Sequence, residues 1–113
     1  MSEKTFKLNQ EDIQDLIKPI GYCFASDKIT VEGLPVGYMY RETPAEKEDS
    51  GWRFFSGTEE EDYLDDDNNI EAFDVNVIAN FDKAIIPYLN SPVNTDLERV
   101  EGTDNFEIIT DLD

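Results

Sequence analysis

The clearest structural signal in this sequence lies at residues 49–57, which read Asp49-Ser50-Gly51-Trp52-Arg53-Phe54-Phe55-Ser56-Gly57. Alternate side chains of a strand point to opposite faces, so Trp52 and Phe54 would share one face while Arg53 and Phe55 share the other. The pattern predicts a strand over residues 51–55. Trp52 then belongs either to the core of a sheet or, with Tyr38 and Tyr40, to an interaction surface.

The charge of the chain is strongly acidic and unevenly distributed. The 113 residues carry a net charge of −18, and ten acidic residues but no basic residue lie between Arg53 and Lys83. A surface of this kind repels nucleic acids and anionic lipids and attracts basic molecules. We therefore predict a basic protein partner, with no nucleic acid and no membrane as partners. The other interpretation is that the acids serve solubility alone.

The remaining patterns predict short elements of both kinds. A helix is predicted over residues 10–18 after an Asn9 cap, and a second short helix after Thr58, with Glu61 at the capping-box position. Residues 70–89 fit helical and strand periodicities; we favour one or two short helices that begin at Asp74. Strands are predicted at residues 21–25, 29–31, 36–41 and 51–55, and a hairpin should pair 97–101 with 106–110. Together these elements predict an α+β fold, mainly an antiparallel β-sheet with short helices.

The length of the chain predicts a single domain over residues 1–113, with about 65% of the unfolded surface buried. Whether the residues after about 110 are ordered stays open. Cys23 is the only cysteine and stands in an apolar run, which predicts a buried structural thiol. The N-terminus does not resemble a signal peptide, and no apolar run is long enough to span a membrane, so we expect a cytoplasmic protein.

The chemistry open to the chain is limited because it contains no histidine. Histidine-dependent nucleophilic catalysis and most transition-metal sites are thereby excluded. Asp65, Asp67 and Asn69 match the first ligand positions of an EF-hand loop, but Ile70 replaces the required glycine and Asn76 the required glutamate. We predict no catalytic residue, no metal site, no cofactor and no enzymatic activity, while weak cation binding by the acids stays open.

Several segments together resemble one bacterial family that was long catalogued as a domain of unknown function. That family is now grouped with the immunity proteins of polymorphic-toxin systems, which bind and neutralise a cognate toxin. The resemblance implies a small cytoplasmic binding protein rather than an enzyme, with a family-like core over about residues 20–110. The segments that carry the resemblance are Cys23–Lys28, Gly33–Arg41, Asp49–Gly57, Asp74–Asp82 and Ile85–Leu89.

These observations lead to a hypothesis of an immunity-type inhibitor whose acidic surface imitates nucleic acid in the cationic cleft of a toxin. Complementary charge accelerates association and selects the partner, and apolar anchors slow dissociation. The alternative is a stand-alone regulatory or structural protein-interaction module. The residues predicted to contact the partner are Glu59, Glu60, Glu61, Asp62, Tyr63, Asp65, Asp66, Asp67 and Trp52.

Overall fold

A six-stranded sheet forms the centre of the computed structural model, which describes residues 4–109. Within these residues three α-helices and three 3₁₀ helices accompany the sheet. The strands are β1 Tyr22–Ser26, β2 Tyr38–Arg41, β3 Asp49–Phe55, β4 Ile70–Asp74, β5 Thr95–Arg99 and β6 Phe106–Ile108. The α-helices are α1 Asp27–Thr30, α2 Glu61–Leu64 and α3 Val75–Phe81, and the 3₁₀ helices are Gln10–Asp12, Asp67–Asn69 and Lys83–Tyr88.

The strands lie side by side in the order β4-β1-β3-β2-β5-β6. β1 and β3 run parallel, whereas the other neighbouring pairs run antiparallel. The predicted α+β fold with a mainly antiparallel sheet and short helices is therefore confirmed. The open question about order after about residue 110 concerns residues outside the described range.

The hydrophobic core lies between one face of the sheet and the segment that contains α3 and the last 3₁₀ helix. Cys23, Met39, Trp52 and Phe54 project from the strands into this core and are fully buried. The prediction that Cys23 is buried is confirmed. Complete burial of a large apolar side chain contributes about 1.5–3 kcal/mol, so this helix-covered face stabilises the sheet. Val75, Ile78, Ala79, Ile85 and Leu89 cover the face from the helical side.

The predicted strand at residues 51–55 is confirmed as the central part of β3. The pairing between β1 and β3 shifts register between Tyr22 and Phe24, as at a β-bulge. Gly51 has a φ of 89°, and a Cβ atom there would lie 2.4 Å from the carbonyl oxygen of Glu42. Only glycine satisfies both conditions. Gly51 therefore allows the backbone at Glu42 to approach β3 closely, beside the irregular pairing of β3 with β1.

The predicted helix over residues 10–18 is wrong, because only Gln10–Asp12 is helical, and as a 3₁₀ helix. The backbone that follows bonds to asparagine side chains of α3 instead of to itself. The Gln14 amide donates to Oδ1 of Asn80 at 3.0 Å, and the Leu16 amide donates to Oδ1 of Asn76 at 2.8 Å. Tertiary hydrogen bonds therefore replace the helical ones.

The predicted strand at residues 29–31 is also wrong, because Ile29 and Thr30 belong to α1. Ser26 caps this helix, and its hydroxyl oxygen accepts the Lys28 amide hydrogen at 3.1 Å. Residues 70–89 contain both predicted types of structure: β4 comes first and Asp74 then caps α3. The C-terminal hairpin is confirmed in β5 and β6, apart from residue 110, which lies outside the described range.

Candidate functional site

The face of the sheet that points away from the helices carries a cluster of half-buried aromatic rings. Strand alternation places Tyr38 and Tyr40 of β2 on this open face, beside Phe55 of β3. The ring centroids are 5.6 Å apart for Tyr38 and Tyr40, 6.0 Å for Tyr40 and Phe55, and 6.3 Å for Tyr38 and Phe55. These three residues are called the aromatic cluster below, and they form a partly exposed apolar platform.

A buried ion pair stabilises the sheet beside this cluster. Both terminal nitrogens of Arg53 donate to the Asp49 carboxylate, at 3.0 and 2.9 Å. The Arg53 Nε atom donates to Glu42 at 2.7 Å, and the guanidinium carbon lies 4.8 Å from the ring centroid of Phe24. Arg53 holds the pKa of Asp49 well below its usual range. The charge of Arg53 is thus neutralised within the chain.

The acidic segment, residues 59–67, borders the aromatic cluster. Its acids other than Glu59 are exposed. None of these exposed acids forms a salt bridge with a basic side chain in the part of the chain that the structure describes. The segment therefore presents uncompensated negative charge to solvent. The exposed acids are Glu60, Glu61, Asp62, Asp65, Asp66 and Asp67.

Glu59 has a structural role at the start of this segment. Its Oε2 atom accepts hydrogen bonds from the Ser56 amide at 2.8 Å and the Ser56 hydroxyl at 2.9 Å, and its Oε1 atom accepts one from the Gly57 amide at 3.0 Å. Burial opposes the ionisation of Glu59, but these hydrogen bonds outweigh it and lower its pKa. The predicted cap by Thr58 and Glu61 is wrong, because α2 begins after Glu60.

Replacing Glu59 with glutamine is expected to lower the free energy of unfolding by about 1 kcal/mol, because an amide has one acceptor oxygen for these donors. Urea denaturation measures the change. Glu60→Gln is the matched control: Glu60 is exposed and its side chain makes no cap bond, so its effect should stay within about 0.5 kcal/mol. Equal effects of the two substitutions would contradict the role of Glu59.

Tyr63 attaches the acidic segment to the body of the protein. Its ring is half-buried and lies 4.9 Å from Nζ of Lys28 in α1. Leu64 is 40% exposed and faces the aromatic cluster. Leu64 is therefore the more exposed apolar side chain of the segment, whereas Tyr63 is partly buried.

Trp52 is fully buried, and this corrects its assignment as a contact residue. Its indole Nε1–H donates to the carbonyl oxygen of Leu89 at 3.2 Å, and its ring stacks on Phe54 at 5.9 Å. The structure thus agrees with the interpretation of Trp52 as a core residue. Phe55, which lies on the opposite face of β3, is partly exposed.

A cavity of about 330 Å³ joins the aromatic cluster to the acidic segment. One wall comes from the sheet, and the other comes from the acidic segment and Gly57. The cavity is therefore apolar at its base and acidic at its rim. The sheet contributes Tyr38, Tyr40, Phe55 and Glu98, and the other wall contributes Gly57, Glu59 and Leu64.

Further acids extend this rim along β5 and β6. Asp96 is opposite Tyr40, and Glu98 is opposite Tyr38 on one side and Glu107 on the other. Like charges directly opposite each other destabilise a sheet. Glu98 and Glu107 are exposed and form no salt bridge among residues 4–109. The acidic surface is thus wider than the sequence indicated.

Phe55 and Glu98 are not among the residues predicted from the sequence to form the site, and Tyr38 and Tyr40 are predicted only as an alternative. Alternation around Trp52 signalled the position of Phe55, but the position of Glu98 depends on which strands pair.

Among residues 4–109, no group of three or more cysteine, aspartate or glutamate side chains is placed to hold a metal ion. No described helix is long and apolar enough to cross a membrane.

Comparison of the sequence with known proteins identifies a family for this chain. No curated protein and no solved structure matches the sequence. Residues 23–110 match the sequence model of a family described as "Immunity protein Imm33 domain". The matched region contains the aromatic cluster, the acidic segment and all the strands except the first residue of β1. Because the match covers more than half of its length, the chain belongs to the Imm33 immunity protein family.

Proposed function

We propose that this chain is a non-catalytic inhibitor that binds and neutralises a cognate bacterial toxin in the cytoplasm. Membership of an immunity protein family supports this role. Inhibition by binding requires a stable surface rather than reactive groups, and the chain contains no histidine for acid–base chemistry. The single observation that carries the proposal is the family match over residues 23–110.

The charge of the acidic segment indicates the chemical character of the partner. Its exposed carboxylates have no described basic counterpart, so association with a basic surface brings together charges that are unpaired in the free protein. Complementary fields of this kind raise the association rate and disfavour incorrect partners. We propose a basic toxin surface as the partner, and neither nucleic acid nor membrane, because both are anionic.

The test begins with the immobilised chain and a lysate of the source cell at low salt, followed by mass spectrometry. The retained protein is then expressed alone and together with this chain in a bacterial host. We expect a basic protein that arrests growth alone and is harmless in co-expression. A partner that is not toxic would overturn the inhibitor function and favour the alternative, a regulatory interaction module.

Reversing two exposed charges of the acidic segment should slow association with the partner. For the double variant Glu60→Lys and Asp62→Lys we expect about a tenfold lower association rate at low salt, since steering by charge changes rates by about 10-fold or more. Stopped-flow fluorescence measures the rate. The difference from the wild type should shrink at high salt because ions screen exposed charges.

The matched control carries the same change in net charge elsewhere on the surface. Glu11 and Glu48 are exposed and lie outside the segment, so the double variant Glu11→Lys and Glu48→Lys alters the total charge equally. We expect a smaller effect on the association rate. Equal slowing by both double variants would show that net charge, rather than the acidic segment, directs association.

A further inference from the structure

We infer that the cavity between the aromatic cluster and the acidic segment receives an arginine side chain of the bound protein. This inference rests on the proposed function and names the position at which the partner is held. The observation that supports it is the combination of stacked rings at the base of one cavity with the Glu98 carboxylate at its rim, which has no partner among the described residues. Either feature alone would fit many ligands, but together they fit an extended cation.

The aromatic cluster suits the flat face of a guanidinium group. The rings of Tyr40 and Phe55 are within 11° of parallel, with centroids 6.0 Å apart, and Tyr38 completes the platform. All three rings are half-buried, so they are held in place while part of each surface stays accessible. Arginine stacks on aromatic faces and is weakly hydrated, whereas lysine carries a compact, strongly hydrated charge. The platform therefore favours arginine.

The rim supplies the hydrogen-bond acceptors that the edge of a guanidinium requires. Glu98 lines the cavity, is exposed and has no hydrogen-bond or salt-bridge partner in the described part of the chain. It also lies directly opposite Glu107, so an incoming cation relieves a repulsion between like charges. Glu59 lines the other wall, although its oxygens already accept three hydrogen bonds. Glu98 is therefore the principal acceptor.

Charge also argues against two other occupants. A second copy of this chain would bring together surfaces that each belong to a protein with a net charge of −18, and repulsion opposes that contact. The neighbouring Arg53 cannot fill the cavity, because Asp49 and Glu42 hold its guanidinium. A basic side chain from another protein can pair with the Glu98 carboxylate and cover the apolar rings at the same time.

The first experiment uses a blocked Gly-Arg-Gly peptide as probe in an NMR titration of the full chain at constant ionic strength. We expect saturable shifts in the millimolar range at the aromatic cluster and Leu64. A peptide with citrulline, the neutral analogue of arginine, should bind at least five- to tenfold more weakly, because hydrogen bonds to charged groups are stronger. Lysine should fall between the two. Equal binding of the citrulline and arginine peptides, or shifts confined to another surface, would overturn the inference.

Two neighbouring glutamates provide a matched pair of variants. Glu98→Gln and Glu107→Gln remove the same charge from opposite positions of one strand pair, but only Glu98 lines the cavity. Both side chains are exposed, so both variants should fold. We expect Glu98→Gln to weaken the arginine peptide about five- to tenfold and Glu107→Gln to weaken it less than twofold. Equal weakening would show that the charge acts at a distance and that the cavity is not the site.

The same variants separate this inference from the proposed function. If the chain neutralises a toxin, Glu98→Gln and Tyr38→Ala should each raise the rate at which the toxin dissociates from the chain. Glu107→Gln should leave that rate nearly unchanged. Neutralisation with unaltered dissociation in all three variants would reject the cavity and keep the inhibitor function. Peptide binding that depends on Glu98, without any toxin being neutralised, would keep the cavity and reject the inhibitor function.

Discussion

Replacement of Trp52 by alanine is expected to lower the free energy of unfolding by about 3–5 kcal/mol, the usual cost of truncating a large buried aromatic side chain. The indole ring is fully buried, stacks on Phe54 and donates its N–H to the carbonyl of Leu89. The substitution leaves a void between β3 and the last 3₁₀ helix and an unpaired carbonyl oxygen. Urea denaturation followed by far-UV circular dichroism measures the loss.

Trp52→Phe provides the control that separates core packing from partner contact. Phenylalanine retains most of the apolar volume but loses the hydrogen bond to Leu89, so a loss of about 1–2 kcal/mol is expected. The folded variant should bind the partner with unchanged affinity, because no Trp52 atom is accessible. A large loss of affinity with little loss of stability would contradict the assignment of Trp52 to the core.

Replacement of Asp49 by asparagine is expected to destabilise the protein by about 3 kcal/mol at neutral pH, the lower end of the range for breaking a buried ion pair. The Asp49 side chain is fully buried, and its carboxylate accepts hydrogen bonds from Arg53, from the Ala45 amide and from the Gly51 amide. Asparagine has a single acceptor oxygen and no charge. Glu42 still pairs with Arg53, which limits the loss.

The cost of Asp49→Asn should depend on pH. Hydrogen bonding from Arg53 lowers the pKa of Asp49 in the folded protein, whereas in the unfolded chain an aspartate has a pKa of about 3.9. Stability from this carboxylate is therefore complete above about pH 5 and is lost as the pH falls below about 4 towards the folded-state pKa. Because the folded-state pKa lies well below pH 3, the difference between the urea midpoints of the two proteins should be constant from pH 7 to about pH 5 and should begin to narrow between pH 4 and pH 3.

Glu48→Gln is the matched control for this prediction. It removes one negative charge from the adjacent residue, but the Glu48 side chain is exposed. We expect a change within about 0.5 kcal/mol across the same pH range. A constant difference between Asp49→Asn and the wild type from pH 7 to pH 3 would show that the buried carboxylate does not supply the stability.

The sequence predicted those parts of the fold in which local patterns and tertiary contacts agree. The alternation around Trp52 reproduced both faces of β3, and the turn containing Gly102 located the C-terminal hairpin. The prediction failed where distant partners override local preference. The side chains of Asn76 and Asn80 form hydrogen bonds with the backbone that follows the first 3₁₀ helix. That backbone therefore does not continue as a helix, although the sequence of residues 10–18 predicts one. Ile29 favours a strand, but the Ser26 cap and burial place it in α1.

The candidate site was predictable in charge but not in shape. A run of acids without bases must be either solvated or paired with other groups. The composition of the segment therefore indicated that these acids would be exposed, as they are in the structure. The cavity depends on the pairing of β2 with both β3 and β5, which brings Phe55 and Glu98 to either side of Tyr38. β2 ends at Arg41 and β5 begins at Thr95. Pairing between two strands so far apart in sequence has no local signal, so the sequence alone did not predict the cavity.

The position of β1 in the strand order has a consequence for synthesis of the protein. Both neighbours of β1 come later in the chain: β3 begins at Asp49, and β4 ends at Asp74. During translation, β1 therefore leaves the ribosome long before either strand that completes its backbone hydrogen bonds. Contacts of this kind form slowly because a long loop must close first. A nascent chain that stops before residue 74 leaves one edge of β1 without its full set of hydrogen bonds, so the β4-β1-β3 part of the sheet can be completed only after residue 74 has been made.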